Sequence, residues 1–105
     1  MGVNLNLFTL ILCIIALALP VQTNAQRLLI PMDLTQSEHL KAYGLALWVL
    51  DRGIPCEWLL NYRGGSFLIE SHNLIAEEAQ VRGIMTESVS EPEVASIYAD
   101  IDAGN

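Results

Sequence analysis

The apolar positions are concentrated first in one long run and then in short, punctuated ones. Leu7 to Pro20 (LFTLILCIIALALP) is nearly all apolar, and Val21-Gln22-Thr23-Asn24-Ala25 follows as a polar stretch ending in a small residue. An apolar core followed by a small-residue cleavage site is the layout of a secretory signal. The run falls short of the about 20 apolar residues that span a bilayer comfortably. The segment before it, MGVNLN, holds no Lys or Arg, which departs from the usual signal and keeps an N-terminal membrane anchor as the alternative. The pattern predicts a cleavable signal helix over 1–25 and an exported mature part over 26–105, periplasmic or extracellular.

Within the mature part, strand and helix signals alternate. Arg27-Leu28-Leu29-Ile30-Pro31-Met32 is a short apolar run that reads as a buried strand, with Asp33 at its end. Thr35-Gln36-Ser37-Glu38 has the capping-box spacing, so a helix is expected from there to about Arg52, with Gly53 as its stop. Ala42, Tyr43, Leu45, Ala46, Leu47, Trp48, Val49 and Leu50 cover most of that helix's circumference, which predicts burial on more than one side. Cys56 to Leu60 reads as a second strand, Tyr62 to Ser66 as a turn, and Phe67-Leu68-Ile69 as an extension or a covering segment. A second helix fits His72 to Arg82, closed by Gly83, and Ile84 to Val89 reads as a third strand. Ser90-Glu91-Pro92-Glu93 is a further capping box, opening a helix from Glu93 to about Ala103.

The order β-α-β-α-β-α predicts an α/β module with a small parallel sheet and right-handed crossovers, Rossmann- or flavodoxin-like in kind. Three strands make such a three-layer sheet incomplete, so residues 26–105 are expected to be the N-terminal fragment of a larger domain. Self-association, or cover from a missing C-terminal part, is the expected remedy for the open sheet.

Charge narrows the partners. The five Lys and Arg stand against twelve Asp and Glu, for a net charge of −7. Nucleic acid, which is bound mainly through cations on phosphate, is therefore not an expected partner. Contact with a membrane is expected only through the leader. Cys13 belongs to the leader, which leaves Cys56 as the mature part's one thiol and no internal disulfide.

Three segments carry a resemblance: Leu28-Leu29-Ile30-Pro31-Met32-Asp33, His39-Leu40-Lys41-Ala42-Tyr43-Gly44 and Trp58-Leu59-Leu60-Asn61-Tyr62-Arg63-Gly64-Gly65-Ser66-Phe67. They resemble the N-terminal part of an exported bacterial family whose members often carry the name asparagine synthetase B. The resemblance covers nearly all of the mature part and implies a longer chain. Glutamine-dependent synthetases use a cysteine at the processed N-terminus and a Ser-Gly-Gly-x-Asp-Ser loop for ATP. Here Gly2 follows Met1, Gln26 follows the predicted cleavage, and the chain reads Arg63-Gly64-Gly65-Ser66-Phe67-Leu68. The resemblance therefore implies the family without synthetase chemistry in this part.

Candidate ligand-binding residues cluster in one stretch and one acid. Arg63, Gly64, Gly65 and Ser66, preceded by Asn61, follow a predicted strand, and ligands of open α/β sheets sit beyond the carboxyl ends of strands. Glycine amides, a hydroxyl and a guanidinium can hold a small anionic ligand, a carboxylate or phosphate. The ordinary alternative is a tight turn with a solvated Arg. Asp33 sits on the same predicted rim, as a ligand-binding acid or as an acid before a helix. Neither G-x-G-x-x-G nor G-x-x-x-x-G-K-[ST] is present, so no cofactor is expected. Ser66 lacks the G-x-S-x-G setting of an activated nucleophile. His39 and His72 lack metal-ligand spacing, so no metal is expected, and Cys56 reads as a small buried hydrophobe. The reading that follows is an exported binding or structural module without catalysis of its own. The rival is a fragment of an exported enzyme, a hydrolase using Ser66 or an amidotransferase-like unit.

Overall fold

The computed structural model describes residues 26–104, and the predicted signal at 1–25 lies outside the described residues. The first apolar run forms strand β1 (Gln26–Ile30). Helix α1 (His39–Asp51) follows, then the strands β2 (Cys56–Leu59) and β3 (Ser66–Glu70). Helix α2 (Asn73–Arg82), strand β4 (Glu87–Ser90) and helix α3 (Glu91–Gly104) complete the described chain. The sheet has four strands in the order β2-β3-β1-β4, and every neighbouring pair is antiparallel.

The expected parallel, Rossmann- or flavodoxin-like sheet is therefore replaced by an antiparallel one. Phe67-Leu68-Ile69 is the reason. It is a full strand rather than an extension, it pairs with β2 as a hairpin and it inserts between β2 and β1. β1 and β2 still run in the same direction, but β3 separates them. This β-α-β-β-α-β order is the split β-α-β, or ferredoxin-like, arrangement, with α3 added. The sheet is a small mixed α/β unit with four strands instead of an incomplete three.

Each inner strand feeds two cores because successive side chains point to opposite faces. Leu28, Ile30, Phe67 and Ile69 face α1 and α2, where they meet Ala42, Leu45, Ala46, Val49, Ile75 and Ala79. Leu29, Leu68, Leu59 and Val89 face the other way, against Val94 and Ile97 of α3, with Tyr98 and Ile101 packed alongside. Val94, Ile97, Tyr98 and Ile101 follow the spacing of one helix face. Burial on both faces explains why β1 reads as a continuous apolar run, which by itself does not separate a parallel strand from an inner antiparallel one. Two polar ties hold α3 down: the Tyr98 hydroxyl donates to Glu57 Oε2 at 2.5 Å, and Arg27 Nε donates to Glu91 Oε1 at 3.2 Å.

Two local expectations change. The capping box before α1 does not form, since the helix begins at His39 with Glu38 at its N-cap and no side-chain cap bond. Thr35 instead bonds Asp33 and Arg63. α1 also buries one stripe only, Ala42, Leu45, Ala46 and Val49, while Tyr43, Leu47 and Leu50 stay exposed. Among the described residues, no helix is long and apolar enough to cross a membrane.

One buried polar side chain fixes the loop end of the sheet. Gln36 is only 3% exposed. Its Nε2 donates to Pro31 O and to Met85 O, both at 3.0 Å, and its Oε1 accepts from Met85 N at 2.9 Å. Gln36 thus ties the β1–α1 loop to the α2–β4 loop through a fully paired amide. Gln36→Ala should lower the unfolding free energy by about 1–3 kcal/mol, because it strands the buried carbonyl of Pro31 and removes the bonds to the part-buried backbone of Met85. Urea unfolding checks this, with Leu34→Ala as an exposed control that should change little.

Candidate functional site

Three connections meet at one end of the sheet. Because β1 and β2 run in the same direction, the chain leaving β1 and the β2–β3 turn emerge side by side. Asp33 and Arg63 are thereby brought together, although the sheet is not parallel. Arg63 Nε donates to Asp33 Oδ2 at 2.7 Å, and Nη2 donates to Thr35 Oγ1 at 3.1 Å. Its Nη1 donates to Glu87 Oε2, which arrives on β4 from the other side. Asp33 Oδ1 also accepts from Thr35 N at 3.1 Å and from Thr35 Oγ1 at 2.5 Å.

The turn is built to aim this guanidinium. Arg63 has φ +44, a left-handed conformation that costs a non-glycine residue roughly 1–2 kcal/mol. Its carbonyl accepts from Met32 N at 3.2 Å and from Ser66 Oγ at 3.1 Å. Gly64, at φ +80, lies so close to β1 that a Cβ there would fall 2.5 Å from Met32 O. Gly65, at φ +91, leaves 3.1 Å between such a Cβ and Trp58 Nε1, and Trp58 Nε1 donates to Gly65 O at 2.8 Å. The two glycines thus let the turn lie against β1 and beneath Trp58.

Electrostatics follow from the pairing. The Arg63 guanidinium, and then the Thr35 hydroxyl, hold the Asp33 carboxyl down at about 2. The Arg63 side chain is pushed further above its already high range, chiefly by its hydrogen bond to Asp33. With Asp33 and Glu87 both on it, the guanidinium is already matched by two carboxylates, so an anion would have to displace one of them.

Beside this junction lies a groove of about 570 Å³. Leu29, Val89 and Ile97 form its apolar part, and Tyr62, Ser88 and Ser96 bring hydroxyls. Glu87, Glu93 and Asp100 line it with Arg63 as the basic residue among its walls. The groove joins β1 and β4 to α3, and so exists only because α3 packs on the second face.

The candidate residues fall into two groups. Asp33, Arg63, Gly64, Gly65 and Ser66 gather at the junction, while Asn61 lies exposed on the turn. Arg63 alone of the six lines the groove. Glu87, Ser88, Glu93, Ser96 and Asp100 were not singled out by sequence pattern. Their one signal is the polar, acidic alternation through β4 and along α3, which gains meaning only once α3 is placed on the sheet.

The potential nucleophiles and bases are engaged elsewhere. Ser66 is wholly buried and donates to the Arg63 carbonyl. His39 Nε2 lies 3.1 Å from Met32 O and 2.9 Å from Asp33 O, so this nitrogen carries its proton and donates to the β1–α1 loop. His72 Nδ1 accepts from Leu74 N at 3.3 Å and caps α2. Burial pushes the Cys56 thiol up, away from the thiolate. Among the described residues, no group of three or more His, Cys, Asp or Glu is placed to hold a metal ion.

No family model matches the chain, and no curated protein and no solved structure matches it either.

The Asp33 pairing generates a pH dependence of known sign. A carboxyl held below its unfolded value of about 3.9 adds stability above that pH and loses it as the pH falls toward about 2. Urea midpoints should therefore drop between pH 5 and pH 2.5, and the drop should be smaller in Asp33→Asn. Equal acid slopes in the two proteins would show that Asp33 carries no such pairing.

Proposed function

We propose that residues 26–104 form a binding module of an exported protein, without catalysis of its own, and that its ligand occupies the groove between β1, β4 and α3. The observation that carries this reading is the groove itself, whose lining brings hydroxyls and carboxylates together beside Arg63. The commitment of Ser66, His39 and His72 to structural hydrogen bonds supports binding over nucleophilic catalysis. The leader pattern at 1–25 supports export, and the resemblance to the exported family named asparagine synthetase B points the same way.

The charge of the walls selects the ligand class. Glu87, Glu93 and Asp100 stand against Arg63, whose donors are directed at Asp33, Thr35 and Glu87. A small molecule with an ammonium or guanidinium end fits these walls better than a small anion. The cationic end would meet Glu93 and Asp100, over the nearly buried side chains of Leu29, Val89 and Ile97.

A matched pair of probes separates the two polarities. Phenethylamine and phenylpropionate share an apolar body and differ in charge. In amide-resolved NMR titrations the amine should shift Ser88, Val89, Ser96 and Asp100, and Glu93→Gln with Asp100→Asn should weaken that binding several-fold. Equal or stronger shifts from the carboxylate would return the site to an anion receptor centred on Arg63. No groove shift from either probe would remove the binding assignment.

A further inference from the structure

The sheet's two edges present different side chains. β4 is bounded by Glu87 and followed at once by Glu91 and Glu93, and charge along an edge deters strand pairing. β2 is the other edge. Its one acid, Glu57, is turned to the α3 face and occupied by the Tyr98 hydroxyl. On the α1 face β2 presents Trp58, which is 53% exposed and stacks on Phe67 with ring centroids 5.8 Å apart.

α1 continues this apolar edge. Tyr43, Leu47 and Leu50 are 42%, 68% and 52% exposed. With Ala46, Trp58 and Phe67 they line a groove of about 240 Å³ along the helix–edge seam. This is where the greasy side of α1, left exposed among the described residues, comes to rest. A helix with apolar residues around most of its circumference normally has a second partner.

We propose that this ledge is the interface for a second copy of the same chain, formed by β2 pairing with β2 across a two-fold axis while the α1 side chains pack over the join. Antiparallel pairing of one edge with itself is self-complementary, as a two-fold contact requires. It satisfies the outward backbone groups of β2 and places Trp58, Leu47 and Leu50 of the two copies against each other.

Area and charge favour this occupant. The four exposed side chains present on the order of 500 Å², within the range of large functional patches on monomers and below the roughly 800 Å² per partner of a standard interface. The paired β2 edges add the remaining contact, which makes the dimer reversible rather than obligate. Five of the twelve acids, Glu87, Glu91, Glu93, Asp100 and Asp102, lie on β4 and α3. Along α1 the charges balance, Lys41 and Arg52 against Glu38 and Asp51. Joining the α1–β2 ledges keeps the acidic side in solvent, where its self-repulsion is weakest.

The test uses the protein as the producing cell processes it, in sedimentation equilibrium between about 1 and about 100 μM, a range suited to a small reversible interface. The wild type should pass from monomer to dimer. Leu47→Glu, at an exposed site that leaves the monomer core intact, should weaken the dimer roughly tenfold or more. Ala95→Glu, on the exposed side of α3, should leave it unchanged. Trp48→Phe isolates Trp58, whose emission should shift to the blue with rising concentration as its ring leaves water, and this reads the interface even where Leu47→Glu expresses poorly. A wild type that stays monomeric throughout, an unaffected Leu47→Glu dimer or a Trp58 emission independent of concentration would overturn the proposal.

Discussion

The guanidinium of Arg63 lies between two carboxylates that the chain supplies from distant positions, Asp33 after β1 and Glu87 on β4. Its planar fork suits this double role, with Nε directed to one acid and the terminal nitrogens to the other acid and to Thr35. The backbone of the same residue accepts from Met32 N and from Ser66 Oγ. One residue therefore fixes the β2–β3 turn to the end of β1 and both to the edge strand β4. The left-handed backbone at Arg63 and the close passage of Gly64 past Met32 are accepted in return for this placement. Gln36 does similar work one layer inward, joining the β1–α1 and α2–β4 loops through buried hydrogen bonds.

The groove depends on that junction and on α3. Without α3 the second sheet face would carry Leu29, Leu68 and Val89 into solvent, and with it the face becomes a second core. The groove lies where α3 leaves the β1–β4 side uncovered, with Arg63 and Glu87 at one wall. Arg63 is held by Asp33 and Glu87, which outnumber it by one negative charge, and Glu93 and Asp100 add to the acidic lining. The opposite edge of the sheet carries a contrasting surface, where Tyr43, Leu47, Leu50 and Trp58 are exposed, which suits contact with another protein surface rather than with a charged small molecule.

The elements themselves were largely legible, and their arrangement was not. Gly53 and Gly83 marked the ends of α1 and α2, the apolar runs marked β1 and β2, and the run from Ile84 to Val89 contained most of β4. Direction was hidden because an inner antiparallel strand buried on both faces has the same continuous apolar pattern as a parallel one. Phe67-Leu68-Ile69 decided the topology, and a run of three apolar residues after a glycine turn does not by itself disclose a partner. The nearness of Asp33 and Arg63 was anticipated from a shared rim. The rim exists because β1 and β2 run the same way with β3 between them. Gln36 and Glu87 left no local signal, since Met85 lies 49 positions from Gln36 and Arg63 lies 24 positions from Glu87, and only the fold brings them near. Thr35 had a helix-capping pattern and uses its hydroxyl for Asp33 and Arg63 instead.

If Arg63 is the tie on which the loop end depends, removing its side-chain pairing should loosen the turn before it loosens the sheet. Amide hydrogen exchange in Arg63→Met reads this directly. Exchange should accelerate at Met32, Gly65 and Ser66, whose N–H groups donate to Arg63 O or Tyr62 O. The amides of the β1–β3 ladder at Leu28 to Ile30 should keep protection in proportion to the global stability. Unchanged protection at Met32 and Gly65, relative to that ladder, would contradict the account and show that the backbone turn holds its place without the guanidinium.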